Sequence, residues 1–236
     1  MNIDTLLQIF SSSFHILKNN IKSMAPAIIL YGMGLITLIL YFPTMIQSND
    51  IFIIALITFV QVLFKVFMIQ YIFIHISTIE ISRSSQNHIL NISDIMQISL
   101  SIFLLDIFIN LIGLLDNFFF SSIQQFSSIL LVISIIISCL FLFVPYIMID
   151  KKETLQNSVM YSCVLTANNI GSILLFGVAL ILLGILFIFL ISIIFSIGQG
   201  NFFIIQLLLS SVLGSGFYYF ILICFSLFYL KLSNPE

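Results

Sequence analysis

Six stretches of twenty or more largely apolar residues follow one another along the chain, at about 25–46, 51–79, 97–120, 127–149, 170–197 and 204–230. A helix of about 20 apolar residues crosses a hydrocarbon core about 30 Å thick. In lipid the backbone has no water to bond, so each such stretch must satisfy its own N–H and C=O groups as a helix. The ten-residue alternation of an outer-membrane barrel is absent from the sequence. The expected fold is therefore all-α: a polytopic transmembrane bundle of six spans in a single domain, residues 1–236. Composition agrees, with 61% hydrophobic and only 7% charged residues. A soluble domain carries about 25% charge. The third stretch is the most interrupted, by Asp106, Asn110 and Asp116.

Orientation follows from the seven basic residues. With six spans and the N-terminus inside, the inner segments hold Lys18, Lys22, Arg83, Lys151, Lys152 and Lys231. The outer connectors, near 47–50, 121–126 and 198–203, hold no Lys or Arg. That is a positive-inside pattern with both termini cytoplasmic. Dropping the third span would put Lys151 and Lys152 outside. The short outer connectors leave no room for an extracytoplasmic domain. Residues 1–22 lack the apolar core and small-residue cleavage site of a signal peptide, so the first span is expected to act as an uncleaved signal.

Two segments outside the spans have helical amphipathic patterning. In residues 3–21, Ile3, Leu6, Leu7, Phe10, Phe14, Leu17 and Ile21 recur at helical spacing, with Gln8, Ser11, Ser12 and Lys18 elsewhere on the wheel. In residues 154–169, Leu155, Val159, Cys163 and Ala167 form an apolar stripe continued by Ile170, beside Gln156, Asn157, Ser158 and Ser162. Both are expected to lie along the cytoplasmic interface. Both end alike, Asn19-Asn20-Ile21-Lys22-Ser23 and Asn168-Asn169-Ile170-Gly171-Ser172. Asn accepts a left-handed backbone cheaply, which suits a turn from lying flat to spanning. The implied unit is an interfacial helix followed by a two-span hairpin, with a degraded third copy at 80–96.

Lys65 is the least expected residue, a charge near the middle of the second span. Gln61 lies one turn before it and His75 near the same face. Asp106 and Asn110 lie one turn apart in the third span. Lys65 sits deeper than Asp106 by roughly 7 Å at 1.5 Å rise per residue, with Asn110 the nearer partner. Two readings stand: a polar site or ion path between the second and third spans, or an interhelical staple or snorkelling lysine. The three cysteines, Cys139, Cys163 and Cys224, lack CxxC spacing and read as small buried apolar side chains. His15, His75 and His88 are scattered, so no metal or other cofactor is expected. Asp150 and Glu153 flank Lys151 and Lys152 as an interfacial cluster. Gly32 and Gly34, and Gly214 and Gly216, are read as points of close helix packing or bending. The P-loop, G-x-S-x-G and HExxH patterns are absent, and no nucleophile–base set is visible, so no enzyme is predicted. The few cations form no stripe for nucleic acid. The expected partners are membrane lipids and other membrane proteins.

The segment FVPYIMIDKKETLQNSVMYSCVLTANNIGSILLF carries a motif: Pro145, then Ser158 and Ser162, then Leu165-Thr166 and Asn169. It resembles the YciC family of uncharacterised bacterial inner-membrane proteins. It is more distantly similar to the membrane-anchor region of glycerophosphoryl diester phosphodiesterases. The resemblance implies a six-span inner-membrane protein of Gram-negative bacteria and carries over no catalytic residue. Two departures stand out. Ser121-Ser122-Ile123-Gln124-Gln125 replaces the family's Pro-Gly-Ile turn, and Lys65 is not a family feature.

Overall fold

The computed structural model describes residues 3–47, 51–79, 90–115, 133, 135–197 and 203–233. Among them every regular element is helical: α1 (Ile3–Gln47), α2 (Ile51–Ile79), α3 (Ile92–Leu115), α4 (135–140), α5 (Val144–Lys151), α6 (Leu155–Asn168), α7 (Ile170–Ile197) and α8 (Phe203–Ser233). The protein is an all-α helical bundle. The outer connectors, Arg83, Asp116, the Ser121–Gln125 stretch and most of the degraded third copy lie outside the described residues. Contacts divide the chain into two compact units. One comprises Met1–Ile54 and Ile170–Lys231; the other comprises Ala55–Asn169 and Leu232–Glu236.

In the first unit α1 packs on α7 and α8. The contact is aromatic: Phe176 stacks on Phe228 at 4.2 Å and meets Phe225 edge-on at 5.2 Å. Phe10 lies against Phe176 and Phe220. Further along, Tyr31 stacks on Tyr218 at 5.1 Å. Offset and edge-to-face ring pairs of this kind each add about 0.5–1.5 kcal/mol beyond the area they bury. Gly32 is the point of closest approach: a Cβ built there would lie 2.9 Å from Ser215 Oγ and 3.2 Å from the Ser211 carbonyl oxygen. Gly214 and Gly216, in contrast, have nothing within 4 Å of such a Cβ, so close packing is a property of Gly32 and not of that second pair.

The turn expected at Asn19-Asn20 is not there. α1 is one helix of 45 residues. Asn20 Nδ2 donates to the Ile16 carbonyl at 3.0 Å, and Asn19 bonds His15 at 2.8 Å, so both side chains fold back on the preceding turn and leave the helix intact. Further along the first unit, Ser13 lies against Cys224, and Gly32 against Ser211 and Ser215. Pro26 falls between those contacts, and a mid-helix proline removes one helix hydrogen bond without ending α1.

In the second unit α2 meets α3 through the Phe59–Phe103 edge contact at 5.4 Å, and meets α5 through Phe73 and Tyr146. α3 packs on α5, and α5 on α6. α5 is the centre of this core: Val144 to Ile149 are all buried. The fourth apolar stretch is thus not one helix, as 127–149 implied. α4 is exposed at Ile135 and Ile136, the chain turns over 141–143, and α5 begins buried. Pro145 is the reason. It has no N–H to donate, and its ring would strike the carbonyl of residue 141 if the helix continued. α5 ends at Lys152, whose φ of 53° and ψ of 36° are left-handed. This residue, not an Asn, takes the positive φ. Asn169, between α6 and α7, stays at φ −124°.

α7 begins where the fifth stretch does, at Ile170; α3 begins ahead of the third stretch, at Ile92, and α8 runs past the sixth, to Ser233. Among the described residues, two helical stretches are long and apolar enough to cross a membrane, Ile170–Ile193 and Leu209–Ser233. They differ in cover: 44% of the second is buried inside the protein, but only 11% of the first.

Candidate functional site

Three of the motif residues, Pro145, Ser162 and Thr166, meet at the break between α4 and α5. Turning the chain there frees backbone groups that a continuous helix would pair, and such groups must find partners elsewhere. Phe141 N–H still reaches the Ile137 carbonyl, Leu142 N–H falls back on Cys139, and Val144 N–H on Phe141. The rest is supplied by α6. Ser162 Oγ accepts from Phe143 N–H at 3.2 Å and donates to the Leu140 carbonyl at 2.6 Å. Thr166 Oγ1 donates to the Cys139 carbonyl at 3.2 Å.

α6 is positioned for this by its own sequence. Thr154 caps it, accepting from Asn157 N–H, and Asn157 Nδ2 donates to Glu153 at 2.8 Å. Lys151 Nζ sits 4.1 Å from the Tyr161 ring centre, tying the end of α5 to the second turn of α6. Ser158, Ser162 and Thr166 recur every four residues and share one face. All three are buried, Ser158 and Ser162 completely. Asn169, next along that edge, turns instead to the Leu165 carbonyl at 2.9 Å. Asn20 makes the corresponding bond to Ile16, so the two Asn-Asn-Ile copies share a backward side-chain bond, although only the second interrupts its helix.

The structure adds which face of α6 meets the protein. Its buried face is the small polar one. The apolar residues Met160, Val164 and Ala167 are exposed, and Leu155, Val159 and Cys163 are half-buried. Helical periodicity finds the two faces but not which one packs. Here the polar face packs because it meets orphan backbone. The cysteine expectation changes likewise: all three are free, but only Cys224 is buried, while Cys139 and Cys163 are half-buried.

Lys65 and Asp106 are both half-buried, and the Lys65 charge acts on the Asp106 carboxylate. Lys65 shares its stretch of α2 with the buried Val62, Val66 and Ile69. The side chains of Asn110 and His75 lie outside the described residues. No group of three His, Cys, Asp or Glu capable of holding a metal occurs among the described residues.

Pro26 and the exposed apolar rows were the features the residue pattern left unread. Pro26 was visible as a proline inside an otherwise helical run. No family model, no curated protein and no solved structure matches the chain.

Proposed function

We propose that this chain is a multi-pass protein of a bacterial inner membrane, six times spanning and with both termini cytoplasmic. In this reading it is no enzyme, and it organises lipids or partner membrane proteins through helices α1 and α6 on the cytoplasmic face. The observation that carries the reading is the surface of α7. Among the described residues of α7, twelve large apolar side chains are exposed, Leu174, Ile181, Leu186, Ile188 and Phe189 by 62–65%. Fully burying an exposed side chain of this kind is worth about 1.5–3 kcal/mol, so each of these would gain roughly half of that on leaving water, and nothing else in the first unit covers them. Lipid is the solvent that suits such a helix. The inside placement of six cations supports the orientation, and the resemblance to the YciC family supports the same topology. Spans joined by such short outer connectors leave the cytoplasmic helices as the surface for partners.

Two experiments test this. Reporter fusions at each terminus and at the three outer connectors should show both ends inside and all three connectors outside. Deleting residues 1–20 should change the lipids or proteins that copurify with the gently solubilised protein, read by mass spectrometry, while the spans still insert. An unchanged set would count against an organising role.

A second reading is favoured by one observation, that Lys65 and Asp106 are two half-buried ionisable residues of one compact unit. On it the chain moves a small solute or lipid past a polar site between α2 and α3. Lys65→Ala and Asp106→Ala should then abolish flux in reconstituted vesicles without loss of folding. Wild-type flux in both variants would remove this reading.

A further inference from the structure

The first five turns of α1 have two faces of opposite use. Leu6, Ile9, Ser13 and Ile16 are buried on the inner face. On the outer face Ile3, Leu7, Phe14 and Ile21 are exposed by 67%, 59%, 63% and 50%. At 100° per residue these four fall within about 40° of one another, a narrow row with no protein over it. Lys18 and Lys22 are one turn apart along the edge of that row, and both are exposed. Lys231, at the end of α8, reaches the same polar edge, its Nζ 3.5 Å from Gln8 Oε1. Against these three cations the described part of α1 sets one carboxylate, Asp4.

An apolar row flanked by lysines is the pattern of a helix seated at a headgroup boundary: apolar side chains enter the acyl region and cations meet phosphates. The inner contacts fix the rotation of the helix, so the row cannot turn inward without breaking the ring contacts of Phe10. The row is also continuous with the remainder of α1, which enters the bilayer in the proposed topology. We infer that α1 over residues 3–22, with Lys231, binds the anionic lipid surface of the cytoplasmic leaflet, the Ile3–Leu7–Phe14–Ile21 row entering the acyl boundary and Lys18, Lys22 and Lys231 holding phosphate headgroups. The inference rests on the membrane reading above and adds the lipid class and the residues that select it.

The chain has no tryptophan, so one introduced residue reports alone. Full-length Phe14→Trp and Phe189→Trp proteins are reconstituted into bilayers holding phosphatidylglycerol and phosphatidylcholine, with bromine on the acyl chains of one lipid or the other. Phe189 lies on α7 and serves as the reference. Its tryptophan should be quenched by either brominated lipid; failure there would overturn the membrane reading itself. The Phe14 tryptophan should be quenched by both and show a preference for brominated phosphatidylglycerol of about fivefold, the size of one lysine acting near an anionic surface. Lys18→Gln with Lys22→Gln and Lys231→Gln should reduce that preference to unity while quenching by phosphatidylcholine persists. Equal quenching of Phe14→Trp by the two lipids, a preference that survives the triple substitution, or an unquenched Phe14→Trp beside a quenched Phe189→Trp would each overturn the inference alone.

Discussion

Gly32 of α1 lies so close to Ser215 of α8 that a single added carbon would stand 2.9 Å from the serine hydroxyl. The hydroxyl has no room to yield. Ser215 is 1% exposed and donates to the Ser211 carbonyl at 2.6 Å, and that same carbonyl is 3.2 Å from the added carbon. Gly32→Ala should therefore destabilise the first unit by about 1–3 kcal/mol, the usual cost of overpacking. Ser215→Ala should restore part of the loss in the double variant and not all of it, because the Ser211 carbonyl remains. A detergent-solubilised unfolding series on the four proteins of the cycle measures the coupling. Purely additive effects would show that the contact is not the cause.

At the other break, Ser162 serves two backbone groups and Thr166 one. Ser162→Ala should cost about 1–3 kcal/mol, since it leaves Phe143 N–H and the Leu140 carbonyl short of a partner in the core. Thr166→Val should cost less, because the Cys139 carbonyl keeps its bond from Leu142 N–H. The order of the two midpoints in an unfolding titration decides the matter; a larger loss for Thr166→Val would contradict this account.

Lys152 carries a left-handed backbone that a side chain disfavours. Replacing it by Gly and by Ala removes the same charge in both cases. The Gly variant should be the more stable of the two by about 1 kcal/mol, the cost of a Cβ in that conformation. Thermal melts of the pair isolate the backbone contribution, and equal melting would rule it out.

The charge of Lys65 acts on Asp106 inside an apolar unit. Removing one partner leaves the other half-buried and uncompensated, so Lys65→Met and Asp106→Leu should each destabilise more than their combination does. A coupling of about 0.5–3 kcal/mol is expected from the double-mutant cycle. Zero coupling would mean that the two side chains are held by other neighbours.

How far these features could be read from residues alone depends on which force decides them. α7 begins at Ile170, where the apolar run at 170–197 begins. The break at 141–143 is a steric effect of one residue, Pro145, inside an apolar run that hydropathy treats as uniform. Pro26 falls inside α1 without ending it. The packed face of α6 was illegible for a different reason. Which face packs is set by what it meets, and Ser162 and Thr166 meet backbone carbonyls that exist only once the fourth stretch has broken. Lys65 and Asp106 stand out in the sequence because both are ionisable residues in apolar helices where charge is costly; their depth along antiparallel helices made Asn110, whose side chain lies outside the described residues, the nearer expected partner.

The serine and threonine of α6 close bonds to residues 19 to 27 positions earlier in the chain. During synthesis Pro145 therefore emerges well before the groups that complete its turn. For the time it takes to make those residues, the carbonyls of Cys139 and Leu140 have only local partners or water. The core helix α5 is consequently finished last by a helix that follows it, and the second unit cannot settle until α6 has left the ribosome.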